Sequence, residues 1–522
     1  MKTPALSALC GSLAIMSTAP AAPLSYPAAR RADTTGMLHG FKVDDPYRWM
    51  EDIDSPETTA WVDAQAKFTE EFLSKLPRRK AVLDRLKQLQ DYDKHGLPSK
   101  VAGRLFYSRK SGLQGQAVLY WKDDQPDARE QVLLDPNTLS RDGTVALSGY
   151  DISEDGKLMT YGLSEAGSDW ERWKVREVAT GKDLPDDIQH VKFSRASWSK
   201  QGDGFYYSRY AAPEKGQELK EQNLNQKLYF HKLGNPQEKD RLIYERPDHP
   251  QWGLAGGETE DGRYLIISIS QGTKDENALF YRDLTAGQDS PVVELLPKFD
   301  ADYSLVGTEA SLFYLLTTNG APNKRVIALD LTQPSPEHWR TIIPESPQVI
   351  TAAHRLGGKW IIERMTDAHD EVTVHGADGA QEKILPLPNF GSAGGFGGKQ
   401  SDVETFYSVT GFDTPGTIYR YDTRTGTSTV HRTTDLAFDR APVEVSQVFF
   451  KSKDGTQVPI FLFHKKGLVK DGKFRRADAV VEDVLFPLFH PRLMPGLAIF
   501  AAAAQVHLRI DAAHFQPRQA AR

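Results

Sequence analysis

The chain has 522 residues, 39% of them hydrophobic and 26% charged, with a mean hydropathy of −0.49. One hydrophobic core does not organise that length, so two or more domains are expected. A net charge of −6 and the absence of any dense Lys/Arg block argue against nucleic acid or an anionic membrane as partner, because neutralising phosphates needs a concentrated basic face.

Residues 1–21 read as a secretory signal peptide. Lys2 precedes an apolar run from Ala5 to Met16, too short to span a bilayer, and Ala19-Pro20-Ala21 supplies small residues for cleavage. The expected location is therefore the periplasm or the cell exterior. The single cysteine, Cys10, lies in this segment and follows Leu9, where a lipoprotein site would carry a small residue. The mature chain would then have neither a disulfide nor a thiol nucleophile.

Residues 22–92 form an N-terminal arm. Leu24 to Gly40 reads as a tail or extended arm, followed by the aromatic stretch DDPYRWMED from Asp44 to Asp52. Ser55-Pro56 opens a helix, with Ser as cap and Pro in the first turn. Trp61, Ala64, Phe68, Phe72 and Leu76 recur at helical spacing until Pro77 interrupts. A second helix from Arg79 to Gln90 directs Val82, Leu86 and Leu89 inward. Both helices need a surface to pack on.

From about Leu97 the hydrophobic period becomes two. Seven segments rich in aromatic and apolar residues recur between residues 93 and 443: GRLFYSRKS, DGKLMTYGLS, DGFYYSRYA, DGRYLIISIS, ASLFYLLTTN, GGKWIIERM and VETFYSVTG. Each reads as the inner strand of a unit and is followed by a second strand on a polar turn, often by a third. The stretch Asp151–Leu184 shows the pattern most clearly, with turns at Asp155-Gly156 and Thr180-Gly181. Units at roughly 40–60 residues are in the range of propeller blades, where a closed ring buries the faces that one small sheet cannot. The expected fold is mainly β: a seven-bladed β-propeller with an N-terminal helical arm. Asp135, Asp151 and Asp155 read as turn residues rather than calcium ligands. After the seventh unit, Val445 to Gly467 alternates around Lys453-Asp454-Gly455 as a hairpin, and a new domain, residues 444–473, starts there.

DDPYRWMED with its helix pair, GLSEAGSDWERWKVREV, HVKFSRASWSKQGDGFYYSRY and VFFKSKDGTQVPIFLFHKKG together resemble the prolyl oligopeptidase family, from Asp44 to about Lys473. The resemblance implies a serine endopeptidase of short, proline-containing peptides. In that family a seven-bladed propeller covers an α/β-hydrolase domain built from both ends of the chain, and limits the path to its active site. It also implies that Phe193, in the VKF segment, contributes to the apolar substrate cavity, and that the arm helices lie against the hydrolase domain. Short peptides are the implied partner; no cofactor, metal, nucleic acid or membrane partner is expected.

Acyl transfer needs a nucleophile, a base, an orienting carboxylate and oxyanion donors, which α/β-hydrolases carry in the order Ser, Asp, His. The family's YGYGGF-like and GGSNGG-like motifs should follow the hairpin. After Lys473 the sequence contains no Ser, Thr, Tyr, Asn, Trp, Cys or Lys, so no catalytic residue is assigned. The expectation is a hydrolase domain that is truncated or out of frame from about Phe474, with residues 474–522 as an aberrant tail; a naturally diverged C-terminus is the alternative. Leu497–Val506 is too short for a membrane anchor. NFGSAGGFGG, Asn389 to Gly398, resembles a nucleophile elbow, but Phe390 stands where the elbow needs glycine, and Ser392 reads as part of a blade loop. His464, His490, His507 and His514 have no serine partner and read as solvated or core histidines. The functional expectation is a prolyl oligopeptidase-type chain that is inactive as written; the alternative is a noncatalytic propeller that binds a peptide or protein. Without its hydrolase partner, each large apolar residue on the arm would stay wet at about 1.5–3 kcal/mol.

Sequencing the locus tests the frame. A downstream alternative frame encoding YGYGGF-like and GGSNGG-like text is expected, and its absence removes the frameshift. Limited proteolysis should remove residues beyond about Gly467 first; a resistant tail would contradict that.

Overall fold

The computed structural model describes residues 24–468 except 215, 217–220, 288, 437 and 438. The signal segment with Cys10, the tail from Phe474, and His490, His507 and His514 lie outside the described residues. The chain divides at Leu86/Lys87 into two compact units.

In the first unit, Thr35–Leu38 and Phe41–Asp44 form a hairpin where a tail or extended arm was expected. His39 (φ 50°) and Gly40 (φ 83°) supply the left-handed pair that a two-residue hairpin turn requires. Helix α1, Pro56–Ser74, begins as its sequence dictates: the Ser55 hydroxyl accepts a hydrogen bond from the Thr58 amide, and Pro56 occupies the first turn. It ends before Leu76, ahead of Pro77. Helix α2, Arg79–Gln90, crosses the boundary between the units. Leu89 is buried, but Val82 and Leu86 are exposed, as are Phe72 and Leu76. The expectation that Val82 and Leu86 point into a core is therefore corrected. Periodicity defines an apolar face, and no described residue covers this one.

The second unit is a β-propeller, a ring of antiparallel blade-like sheets. In chain order the first sheet has five strands, from Lys94–His95 to Gln131–Leu134. The second has eight, from Val145–Ile152 to Arg241–Tyr244. Four four-stranded sheets follow, starting at Trp252, Tyr303, Val349 and Gly391. All seven aromatic-rich segments are strands, but none is innermost. Each is preceded by a strand nearer the centre, such as Trp252–Glu258 before Tyr264–Gln271. Some of these strands are rich in glycine, as Trp252–Glu258 and Gly391–Gly395 are, and so lack the apolar alternation that marks the strands beside them. Two further expectations change. Gly391–Gly395 is such a strand, paired with Glu404–Gly411, and not a blade loop. Asp151 lies within Val145–Ile152 and accepts from the Trp198 amide, so it is a half-buried strand residue; desolvation raises its pKa. Asp155 does hold a turn, accepting from Ser153 and the Lys157 amide, and Asp135 caps a short 3-10 turn.

Stability comes from apolar layers between consecutive sheets. Leu228, Leu254, Ile267 and Phe280 form one such layer, and Tyr314, Val326, Trp360 and Ile362 another. Small residues permit this approach: a Cβ on Gly256 would lie 2.7 Å from a Leu228 methyl. Hairpin Val443–Lys451/Gln457–Lys465 follows the last sheet, its turn at the expected Asp454-Gly455.

Inside the eight-stranded sheet lies a buried polar cluster. The fully buried His231 ring bonds Asp240 at 2.7 Å and Asp186 at 3.0 Å, and Tyr207 donates to Asp240 at 2.6 Å. Burial opposes the imidazolium, but the two carboxylates outweigh it and raise the His231 pKa above the ordinary 6.5. A pKa raised on folding stabilises fully below the unfolded value and is lost as pH climbs through the folded one. His231→Gln should therefore cost about 3 kcal/mol near pH 6, as expected for breaking a buried pair. The gap from the unmodified chain should narrow toward pH 9 in urea unfolding; a pH-independent gap would refute a charged His231.

Candidate functional site

Antiparallel meanders alternate direction, so the turn after each innermost strand lies at one end of the ring and the next turn at the other. The turns at 153–157, 199–203, 259–263 and 357–358 share the first end. The connections at 166–170, 192–196, 210–226 and 367–368 share the second.

Phe193 stands at the second end and is 63% exposed. Its backbone is left-handed (φ 54°), as is His190 (φ 59°), in a kink between two short stretches that pair with Gly204–Arg209. The kink is held from behind. Buried Gln226 donates to the Lys192 carbonyl at 2.9 Å and accepts from the Leu254 amide at 2.7 Å, while Ser194 accepts from the Ser208 amide at 2.8 Å. Lys192 is buried to its ammonium, which sits 5.0 Å from the Trp170 ring and 5.3 Å from the Phe193 ring; the Asp169 carboxylate is 3.9 Å away. Trp170 meets Tyr210 edge-on at 6.3 Å. The result is an aromatic platform with an embedded cation. Such a surface suits apolar rings and carbonyl groups of an extended peptide, since cation and ring faces are already desolvated together. Sequence reading found Phe193 alone. Lys192 is the chain neighbour of Phe193, but Trp170 and Tyr210 stand in other connections, and only the meander brings them to it.

The first end is tied across. Lys399 and Gln400 leave the last sheet and reach over the channel. Lys399 donates to Glu154 of the second sheet, whose other oxygen takes Lys200 at 2.5 Å. The Gln400 amide donates to Glu260 at 2.8 Å, its side-chain NH2 to the Thr308 carbonyl at 3.1 Å, and Arg355 donates to its side-chain oxygen at 3.0 Å. The Gly357 amide takes its carbonyl at 2.9 Å. Burial opposes the charge on Glu154, but the bonds from Lys200 and Lys399 overcome it and lower its pKa. Gly398, at φ 150°, must be glycine: a Cβ there would come within 2.8 Å of Leu356. Beneath this strap lies a cavity of about 330 Å³ lined by residues such as Glu258, Val306, His354 and Phe396.

A nucleophile is not assembled here. Ser392 is mid-strand opposite Thr410. Thr373 bonds His375 at 2.9 Å, but both are buried; Thr373 also takes Arg364, and the other His375 nitrogen bonds the Gly379 carbonyl. His464 lies in the hairpin, bonded to the Lys465 carbonyl.

Residues 26–434 match the family model described as the prolyl oligopeptidase N-terminal β-propeller domain. The chain is 35% identical over 450 residues to the prolyl endopeptidase of Elizabethkingia meningoseptica, covering 86% of this chain and 63% of that protein. It is 32% identical to prolyl oligopeptidase A of Galerina marginata, over 88% and 66%. The chain thus spans just under two thirds of the length of these relatives. Among solved structures, one from a study of two prolyl endopeptidases matches with TM-score 0.78 at 33% identity, covering 85% of this chain and 65% of that one. Prolyl oligopeptidase B from Galerina marginata, bound to a 35-residue substrate, matches with TM-score 0.78 at 28% identity, over 86% and 66%.

Lys399→Ala removes a charge-assisted bond of about 1.5 kcal/mol. Amide exchange across 397–402 should quicken by roughly tenfold, and 1 M salt should mimic much of this in the unmodified chain. Unchanged exchange would mean that the strap is held without Lys399.

Proposed function

This chain belongs to the prolyl oligopeptidase family, and we propose that it supplies the peptide-admitting propeller of a serine endopeptidase for short, proline-containing peptides. The observation that carries this reading is the difference between the two ends of the ring. One presents the Phe193, Trp170 and Tyr210 platform, and the other is strapped shut by Lys399 and Gln400. A peptide enters at the aromatic end, lays a proline-containing stretch on the platform, and leaves its scissile bond beyond the ring. Counting the eight-stranded sheet as two meanders supports a seven-bladed ring in this proposal.

In this proposal the hairpin after the last sheet starts the hydrolase domain. The stretch from Phe474 carries no serine to act as nucleophile, so the chain as written binds peptide without cleaving it. The interrupted reading frame is part of the same proposal. Residues 1–21 would export the chain to the periplasm or the cell exterior. The second reading, a propeller whose own role is peptide binding, is favoured by that same missing serine.

A serine-directed fluorophosphonate separates the two. No labelling of this chain is expected, whereas a product of the restored frame should label; labelling of this chain would overturn the assignment of inactivity. Phe193→Ala should weaken binding of a fluorescent proline-containing peptide by about tenfold or more, because covering the exposed ring with peptide contributes at least about 1.5 kcal/mol. Binding unaffected by Phe193→Ala would place the peptide elsewhere.

A further inference from the structure

The seam between the first and last sheets holds a second, smaller cavity, of about 70 Å³, at the same end of the ring as Phe193. Its polar wall carries two cations, Lys94 from the first sheet and Arg432 from the outer strand of the last, together with His95, Tyr92 and Thr434; Pro415 and Ile418 supply apolar wall. Lys94, His95 and Arg432 are half-buried.

Arg432 has an unusual set of neighbours for a half-buried guanidinium. One terminal nitrogen lies 3.2 Å and 3.4 Å from the two nitrogens of His95, and the group sits 5.9 Å from the Tyr107 ring. Lys94 donates to the carbonyls of Gln90 at 2.5 Å and Tyr92 at 3.4 Å, with the Tyr92 ring 3.9 Å away. Among the described residues, neither cation forms an ion pair with a carboxylate. The acids that influence the site act from further off. Asp91 and Asp93 favour the Lys94 charge, and Glu130 is already taken by Arg109 at 2.7 Å and by Tyr107. Burial first, and the Arg432 charge second, hold His95 down to about 4. At neutral pH its ring is therefore uncharged and carries one N–H.

A half-buried guanidinium is stable when a planar anion uses its fork of donors, and here several donors remain unspent. The cavity has room for about two waters at roughly 30 Å³ each, or for one small oxyanion. We propose that this cavity binds one small oxyanion, a carboxylate or an inorganic oxyanion, held by Arg432, Lys94 and the His95 N–H. Such an ion would bridge strand Lys94–His95 to strand Thr427–Arg432 and so fasten the seam of the ring. The site does not depend on the peptidase reading.

Thermal unfolding of the full chain, with sulfate titrated in at ionic strength fixed by sodium chloride, tests this. The expected result is a saturable rise in Tm, with apparent affinity at least tenfold weaker in Arg432→Gln and in Lys94→Gln. A rise that does not saturate, or that is equal in the variants, would reflect only general salting and overturn the site; so would no rise. Should a variant fail to fold, histidine NMR of the unmodified chain decides. Saturating sulfate should lift the His95 titration midpoint from about 4, and an unmoved midpoint refutes binding. A short peptide with a free C-terminal carboxylate, set against its amide, distinguishes the sources. Stabilisation by the acid and not the amide marks a peptide terminus as a ligand; stabilisation by sulfate alone marks a free ion.

Discussion

A ring of sheets is only as stable as its last joint. In this propeller the first and last sheets share no strand among the described residues, so backbone hydrogen bonds do not close the circle. Side chains do. Leu105 and Tyr107 of the first sheet pack on Phe406 and Ile418 of the last. Arg420 reaches from the last sheet to Asp124 at 2.9 and 3.0 Å and to Glu404 at 2.5 Å, while Lys100 meets Asp124 at 2.8 Å. Burial opposes the Arg420 charge, but the carboxylates prevail and raise its pKa, and Asp124 and Glu404 are lowered in turn. Charge is concentrated at this joint, and a cavity with two cations on its wall lies at the same seam.

The strap at the first end works differently. Lys399 and Gln400 touch the second, fourth and fifth sheets as well as the third through Glu260, so one dipeptide couples blades that are not adjacent. A ring whose seam is closed by side chains gains from such spokes, because any opening of the seam must also stretch them. The cost is passage: groups that tie the blades together also occupy the channel mouth. At the other end the connections carry the exposed Phe193 ring beside Trp170 and Tyr210.

The strand content of the propeller was largely legible because the second strands carry aromatic and β-branched residues at period two, bounded by Asp-Gly turns. The innermost strands were not. Gly391–Gly395 carries Gly391, Gly394 and Gly395, and Trp252–Glu258 carries Gly253, Gly256 and Gly257; what makes them strands is the edge of the next strand, a tertiary partner invisible to local pattern. Phe193 was found through resemblance alone. Its left-handed backbone and its support by Gln226 and Ser194 leave no local signature, and Trp170 and Tyr210 join it from different connections. The α1 and α2 faces were read as apolar and in need of a partner; Phe72, Leu76, Val82 and Leu86 are exposed, while Leu89 is buried.

The hairpin Val443–Lys451/Gln457–Lys465 brings these threads together. Phe461 packs on Phe390 and Phe412 of the last sheet at 5.9 and 4.9 Å, so one face is engaged. The opposite face carries Val448, Phe450 and Ile460, all exposed. Apolar residues on both faces of a strand pair are the pattern of strands inside a larger sheet covered on both sides, and a solvated two-stranded ribbon has no use for them. The arm makes the same demand with Met37, Phe41 and Phe72. Two segments far apart in sequence thus expose complementary needs: one for neighbouring strands, the other for an apolar surface. Each carries apolar area in water, and covering it would contribute about 25 cal/mol per Å².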